Sequence, residues 1–277
     1  MTAQPTPQPP APPGGWQAAA DPLYNSPIPI RKTHLGHAIT SEWTKIRSVR
    51  STMWTLGLFV VVVVGVGLLF AADTQDTDYA NVPYTVPAFF GLILGQICLI
   101  TLGVLVISSE YGTGMIRTTF TASPQRYRVL TAKILVFFCV SLVVSMLSVG
   151  LVGLLTSQIH HDSSNREWLG TVFRSSLYVS LMGVLALAMG SILRHSAGAI
   201  TAMLGLVLVP AILPVFLAIS RSTREIGNKV LEYSAPNSLA KLFHLDNGSG
   251  TPQFWLLAAV TAVAVAVAYI LLDRRDV

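Results

Sequence analysis

Six stretches of this 277-residue chain stay apolar for about twenty residues each, the length a helix needs to cross roughly 30 Å of hydrocarbon. They lie near Trp54–Ala72, Pro87–Ile107, Val129–Thr156, Thr171–Leu193, Ala197–Ser220 and Phe254–Leu272. In lipid every backbone amide must find its partner within the chain, so runs of this kind span as helices. The charge content agrees: 11% of the residues are charged, against about 25% in a soluble domain. The expected fold class is an all-α polytopic membrane protein with six transmembrane helices.

Basic residues mark the cytoplasmic loops of such a protein. With the N-terminus inside, twelve of the eighteen Lys and Arg residues fall on that side: Arg31, Lys32, Lys45, Arg47, Arg50, Arg117, Arg126, Arg128, Lys133, Arg194, Arg274 and Arg275. The outer face keeps six basic residues and eight acidic ones, Asp73, Asp76 and Asp78 among them. Both termini are therefore expected in the cytoplasm. The formal charge of +5 is accounted for by topology and calls for no nucleic-acid partner.

Two regions precede and follow residue 34. Residues 1–33 are rich in proline, alanine and polar side chains, which predicts a disordered, partly polyproline cytoplasmic tail without a cleavable signal. Residues 34–277 form the six-span domain. It opens with an amphipathic helix, His34 to Met53, whose apolar stripe is Leu35, Ile39, Trp43, Ile46, Val49 and Met53. Lys45 and Arg47 flank the stripe, so the helix suits the membrane surface. Glu42 falls inside the stripe and needs a partner; Lys45 at i+3 is the nearest cation. Arg50, on the margin, can snorkel. The outer loop 221–253 pairs Ile226 with Val230, and Leu239 with Leu242 and Phe243, around Pro236. That spacing predicts two short amphipathic helices.

The spans carry hydroxyls and one amide near their centres, namely Gln96, Thr101, Ser141, Ser145, Ser148, Ser176, Ser180 and Thr201, and no ionisable group. This argues against ion-coupled transport, which needs something to bind the ion. No phosphate-binding G-x-x-x-x-G-K-[ST] motif is present, and "NGSGT" at 247–251 lacks the lysine. His160 and His161 beside Asp162 make a poor metal site, since adjacent histidines diverge on most backbones. Cys98 and Cys139 both lie inside spans, so no disulfide framework is expected. No catalytic, cofactor or metal residue is assigned. Small-residue pairs for helix packing are Gly91 with Gly95, Ala186 with Gly190, and Gly198 with Ala202. Pro210 and Pro214 should kink the fifth span and free carbonyls near a pathway that includes Gln96.

The connection 108–133, "SSEYGTGMIRTTFTASPQRYRVLTAK", is a polar island between two apolar runs. Glu110 follows the second span, and Gly112 and Gly114 permit a sharp turn. Thr113 suits an N-cap. "MIRTTFT" then predicts two turns of helix, with Met115, Ile116 and Phe120 on one side and Arg117 beside them, until Pro124 breaks it. Arg126, Arg128 and Lys133 lead into the third span. A short amphipathic helix at the base of a bundle suits docking into a groove on a separate protein.

Together with "SEWTKIRSVRSTMW" (41–54), the stretch "SSEYGTGMIRTTFTASPQRYRVLTAKIL" (108–135) resembles the membrane subunits of ATP-binding-cassette exporters. The resemblance is to type-2 permeases, the single-domain kind common in actinobacteria, and in layout it covers residues 35–277. It implies two permease subunits, the same or different, assembled in the bacterial plasma membrane with two separate ATPase subunits that hold ATP and magnesium. The coupling helix would fall at about Gly112–Thr121 within the loop 108–128. Glu110 would join a charged cluster at the membrane base, and Glu42, Trp43, Lys45 and Arg47 would complete the docking surface. Gly91, Gly95, Gln96, Pro210 and Pro214 would belong to the dimer packing or the pathway. Lipids and an amphiphilic substrate are the remaining partners. Two alternatives stand beside this reading. One is a non-transporting membrane anchor or regulator of an ATPase. The other is a polytopic membrane enzyme drawing on His160, His161, Asp162, Glu167 and His244.

Overall fold

The computed structural model describes residues 34–74, 83–122, 125–159 and 168–274. In chain order its helices are α1 (Leu35–Ser48), α2 (Arg50–Asp73), α3 (Val86–Gly112), α4 (Met115–Ala122), α5 (Arg126–Ile159), α6 (Trp168–Leu193), α7 (Ser196–Leu217), α8 (Arg224–Glu232), α9 (Ala235–Leu242) and α10 (Thr251–Arg274). Six of them, α2, α3, α5, α6, α7 and α10, are long and apolar enough to span a membrane. The chain is an all-α multi-pass membrane protein. The Pro-rich segment 1–33, Asp76 and Asp78, Pro124, His160 to Asp162, Glu167 and Arg275 lie outside the described residues.

The bundle is organised around α3 and α6. Of the most apolar stretch in each span, 72% is buried in α6 and 56% in α3, against 17% in α7 and 22% in α10. Small residues let these axes approach. A Cβ on Gly91 would overlap the backbone of Val63 in α2, and one on Gly95 would lie 2.6 Å from the Val63 side chain. The Gly91–Gly95 pair thus seats α3 on α2 of the same chain. Gly190 serves α6 in the same way, with a Cβ placed 2.9 Å from the Val104 carbonyl of α3. Since hydrocarbon gives helices no hydrophobic reason to associate, close packing over such residues supplies the contact energy.

Two turns depart from the expected outline. The amphipathic pattern runs unbroken to Met53, yet α1 stops at Ser48. Val49 is extended (φ −79°, ψ 112°), and α2 begins at Arg50, so residues 50–53 belong to the first span. Thr113 does not cap α4. It closes α3 instead, its hydroxyl donating to the Ser109 carbonyl at 2.9 Å and its amide to the same carbonyl at 3.0 Å. Gly114, at φ +71°, then makes the left-handed step that a side chain would resist, and α4 starts at Met115.

At the opposite end α8 and α9 form the two helices expected between the last spans. Ser234 caps α9 by accepting the Asn237 amide. Leu239, Leu242 and Phe243 are all buried, and the Phe243 ring meets Phe89 of α3 edge-on at 5.9 Å. In contrast Ile226 of α8 is 58% exposed, and this helix rests on α7 through Gly227, whose Cβ would lie 3.0 Å from Leu217. The helix α7 runs through both Pro210 and Pro214 and ends at Leu217, short of the expected Ser220.

Candidate functional site: a buried charge cluster beside α4

Four charged side chains from three helices meet where α1, the end of α3 and the start of α5 come together. Lys133 of α5 donates to Glu42 Oε2 at 2.6 Å, to Glu110 Oε1 at 2.9 Å and to the Val106 carbonyl at 3.2 Å. Those three bonds use all the donors of an ammonium group. Lys45 donates to Glu42 Oε1 at 2.7 Å and to Glu110 Oε1 at 2.9 Å. Each lysine therefore bridges the same two carboxylates, and the cluster has no net charge.

Burial sets the weight of these bonds. Glu42, Glu110 and Lys133 are all almost fully buried, whereas the Lys45 side chain keeps 28% of its surface in contact with solvent. Forming such a cluster gains little net stability, because stripping water from four charges offsets most of the attraction. Removing one member is a different matter, since it strands a buried charge, at a cost of about 3–5 kcal/mol. Burial pushes the Lys45 pKa down, but the hydrogen bonds and charges of Glu42 and Glu110 outweigh it and leave that pKa raised. Glu110 Oε2 has no hydrogen-bond partner among the described residues. A crevice of about 190 Å³ runs past Glu110 between Thr52, Thr55, Leu105, Val106 and Met115, with room for water.

Local sequence explains how each member arrives. Glu42 and Lys45 share a face of α1 by their three-residue spacing. Glu110 sits one helical turn after Val106, whose carbonyl also faces Lys133. Further links brace the same end of the bundle. The Arg126 guanidinium donates to the Leu272 carbonyl at 3.3 Å, the Thr131 and Tyr269 hydroxyls are 2.8 Å apart, and Arg194 stacks over the Tyr111 ring at 4.9 Å.

The α4 helix begins five residues after Glu110, and its side chains divide. Ile116 is buried and Phe120 half-buried, with the Arg126 guanidinium 5.4 Å from the Phe120 ring. Met115 is 46% exposed, and Arg117, Thr118 and Thr121 are exposed with it. Consecutive helical residues stand about 100° apart, so Met115 and Ile116 do not share the single face expected of them. The i, i+4 pair Ile116 and Phe120 turns inward, with Thr119 half-buried beside it. Gly112 is the exposed last residue of α3. On α1, Trp43 is half exposed and Arg47 exposed, while Ile46 packs inward. Trp43 and Ile39 border an apolar hollow of about 530 Å³ against Leu135, Val136 and Cys139 of α5.

The remaining candidates lie apart from the cluster. Gln96 is buried inside the bundle, its amide donating to the Ile93 carbonyl at 3.1 Å while Oε1 has no partner among the described residues. Ser141, Ser148 and Ser180 each donate back to a carbonyl of their own helix, which satisfies a hydroxyl in lipid without a ligand. Pro214 is buried and Pro210 half-buried. Lys133 is the member that composition and charge counting overlooked, because it reads as one more topology-setting cation. Its signal is the surrounding run "TAKILVFF": a lysine that far into an apolar span requires an acidic partner.

An all-helical multi-pass bundle with six apolar spans, and with a short polar helix near a neutral charge cluster at one end, defines a polytopic membrane protein. Residues 38–208 match the family model described as ABC-2 family transporter protein, a stretch that includes the whole charge cluster and α4. The chain belongs to that family, and its role is that of a membrane permease in an ABC transporter. No curated protein sequence matches it.

Proposed function

We propose that the chain is the permease subunit of an ATP-driven exporter in the bacterial plasma membrane. Both termini and α4 face the cytoplasm, a second permease copy or homologue completes the pathway, and separate ATPase subunits bind α4. ATP and magnesium are held by those subunits, and this chain performs no hydrolysis. The observation that carries the reading is the Glu42–Lys45–Glu110–Lys133 cluster, which ties the end of α3, five residues before α4 begins, to α1 and α5. A helix meant to transmit force must not swivel at its root. Here Glu110, five residues before Met115, is tied to α1 and α5 at once, so a push on α4 reaches three helices together.

In this reading the four charges hold the docking surface in shape and do not themselves touch the ATPase, because three of them are buried. Contact falls to the exposed Met115, Arg117, Trp43 and Arg47. The pathway, bordered by aliphatic side chains, suits an amphiphilic substrate. Purification of the tagged protein from native membranes in mild detergent tests the assembly, with mass spectrometry identifying what accompanies it. An ATPase near equal stoichiometry, whose hydrolysis rises with an amphiphilic substrate, is the expected result. Association without any substrate stimulation would favour the regulatory-anchor alternative, and a solitary folded protein would overturn both.

A further inference from the structure

The elbow between α1 and α2 carries a second site. Arg47 and Arg50 stand on either side of the extended Val49, and both are exposed. With Ser48, Met53 and Trp54 they line a concavity of about 270 Å³. No carboxylate borders it among the described residues, and the first turn of α2 contains no acidic residue. Neither arginine makes an ion pair or hydrogen bond among the described residues, in contrast to Lys45 and Lys133 a few residues away.

What lies beside these arginines identifies the partner. Arg50, Trp54, Leu58 and Val61 follow one face of α2 at helical spacing. Trp54 is 79% exposed, Leu58 54% and Val61 66%. At about 1.5 Å per residue, the arginine backbone sits about 6 Å above that of the tryptophan and about 12 Å above that of Leu58. The order from the end of the span inward is cation, indole, aliphatic chain. A phospholipid presents its phosphate, glycerol ester region and acyl chain in the same order and on the same scale. Tryptophan concentrates at the interfacial level, and exposed arginines draw anionic headgroups. A soluble anion would leave Trp54 and Leu58 unused. A soluble protein partner would have to reach down past the membrane surface to cover them.

We propose that the α1–α2 elbow is a binding site for an anionic phospholipid, with Arg47 and Arg50 on its phosphate and Trp54 against its glycerol and upper acyl chain. The lipid fixes the angle at Val49, and through α1 it steadies Glu42 in the charge cluster. Arg47 is shared with the docking surface proposed above, whereas Arg50 and Trp54 are not, so the lipid site rests first on that pair.

The test uses the full chain in bilayers that mix phosphatidylcholine with phosphatidylglycerol, one of the two carrying brominated chains that quench tryptophan on contact. The difference in quenching between the wild type and a Trp54→Phe variant isolates Trp54 from the other four tryptophans. Trp54 should prefer phosphatidylglycerol by about thirtyfold, since each of the two surface arginines adds roughly 1 kcal/mol of attraction to an anionic lipid. Arg47→Gln/Arg50→Gln should abolish the preference, and Arg47→Lys/Arg50→Lys should retain most of it. All variants must first elute as folded protein, and the lysine variant supplies the comparison if the glutamine variant does not. Equal quenching by both lipids would overturn the proposal, as would a preference that survives the glutamine substitutions. Displacement of the brominated lipid by millimolar inorganic phosphate would reduce the site to one for free anions. Loss of ATPase association in the glutamine variant, with lipid preference intact, would reassign the elbow to protein docking.

Discussion

Lys133 and Glu42, 91 residues apart in the chain, approach to 2.6 Å between Nζ and Oε2 and are both almost fully buried. This bond joins the surface helix α1 to the span α5, and Glu110 adds the end of α3 to the same ammonium. A polar junction enclosed by an apolar bundle is costly to keep, so what happens on dismantling it reports what it holds.

Lys133→Met is expected to destabilise the protein by about 3–5 kcal/mol, because Glu42 and Glu110 would then share a single, half-exposed lysine. Neutralising the acids along with the lysine, as Glu42→Gln/Glu110→Gln/Lys133→Met, should recover much of that loss. Unfolding in increasing SDS, followed by helical circular dichroism, measures both. A Lys133→Met protein as stable as the wild type would remove the cluster from any structural role.

Lys45 gives the cluster a pH dependence of defined sign. Its pKa is raised in the folded protein, so the contribution is fully present below the unfolded lysine value of about 10.5. It is lost as pH rises above that value and through the higher folded pKa. The Lys45 contribution should therefore not vary with pH across the neutral range and should fall in alkali. Unfolding curves between about pH 8 and 12 should show a smaller alkaline decline for Lys45→Met than for the wild type. Equal declines would mean that Lys45 does not gain its partners on folding.

Gly91 offers a packing test away from any charge. Because a Cβ there would overlap the Val63 backbone, Gly91→Ala must push α2 from α3, at a cost of about 1–3 kcal/mol. Gly65, in the same helix as Val63, has nothing within 4 Å of its virtual Cβ. Gly65→Ala should then be neutral or slightly stabilising, since alanine is the better helix former. Equal effects at the two positions would contradict the close α2–α3 contact.

These outcomes follow unequal degrees of legibility in the sequence. The six spans were readable to within a few residues, because a stretch such as "LGLFVVVVVGVGLLF" (56–70) has one stable solution in lipid. The helices α8 and α9 were readable from the spacing around Pro236. The Val49 elbow was not, since apolar periodicity continues across it and the break is made in three dimensions. Glu42 announced its need for a partner by lying in an apolar stripe, and Lys45 met half of that need. The other half came from Lys133, and no local pattern can name a contact across 91 positions. The division of α4 into Ile116 facing inward and Met115 facing outward had the same cause: the bundle decides which 100° sector of a two-turn helix is covered.

That division supplies the sharpest test of the docking role. Ile116 is buried and Met115 exposed, so charge at the two positions should fail in different ways. Ile116→Glu places a carboxylate in the packed side of α4 and should unseat the helix, lowering stability together with ATPase association. Met115→Glu with Arg117→Glu changes only the exposed side. It should leave the SDS unfolding midpoint within error while cutting recovery of the ATPase about tenfold or more, as expected when charges are reversed in a contact patch. Unchanged recovery with Met115→Glu/Arg117→Glu would move the docking surface off α4, whatever Ile116→Glu does. Parallel losses of stability in both variants would instead show that α4 is held on all sides by its own chain, which leaves no face for a partner to grip.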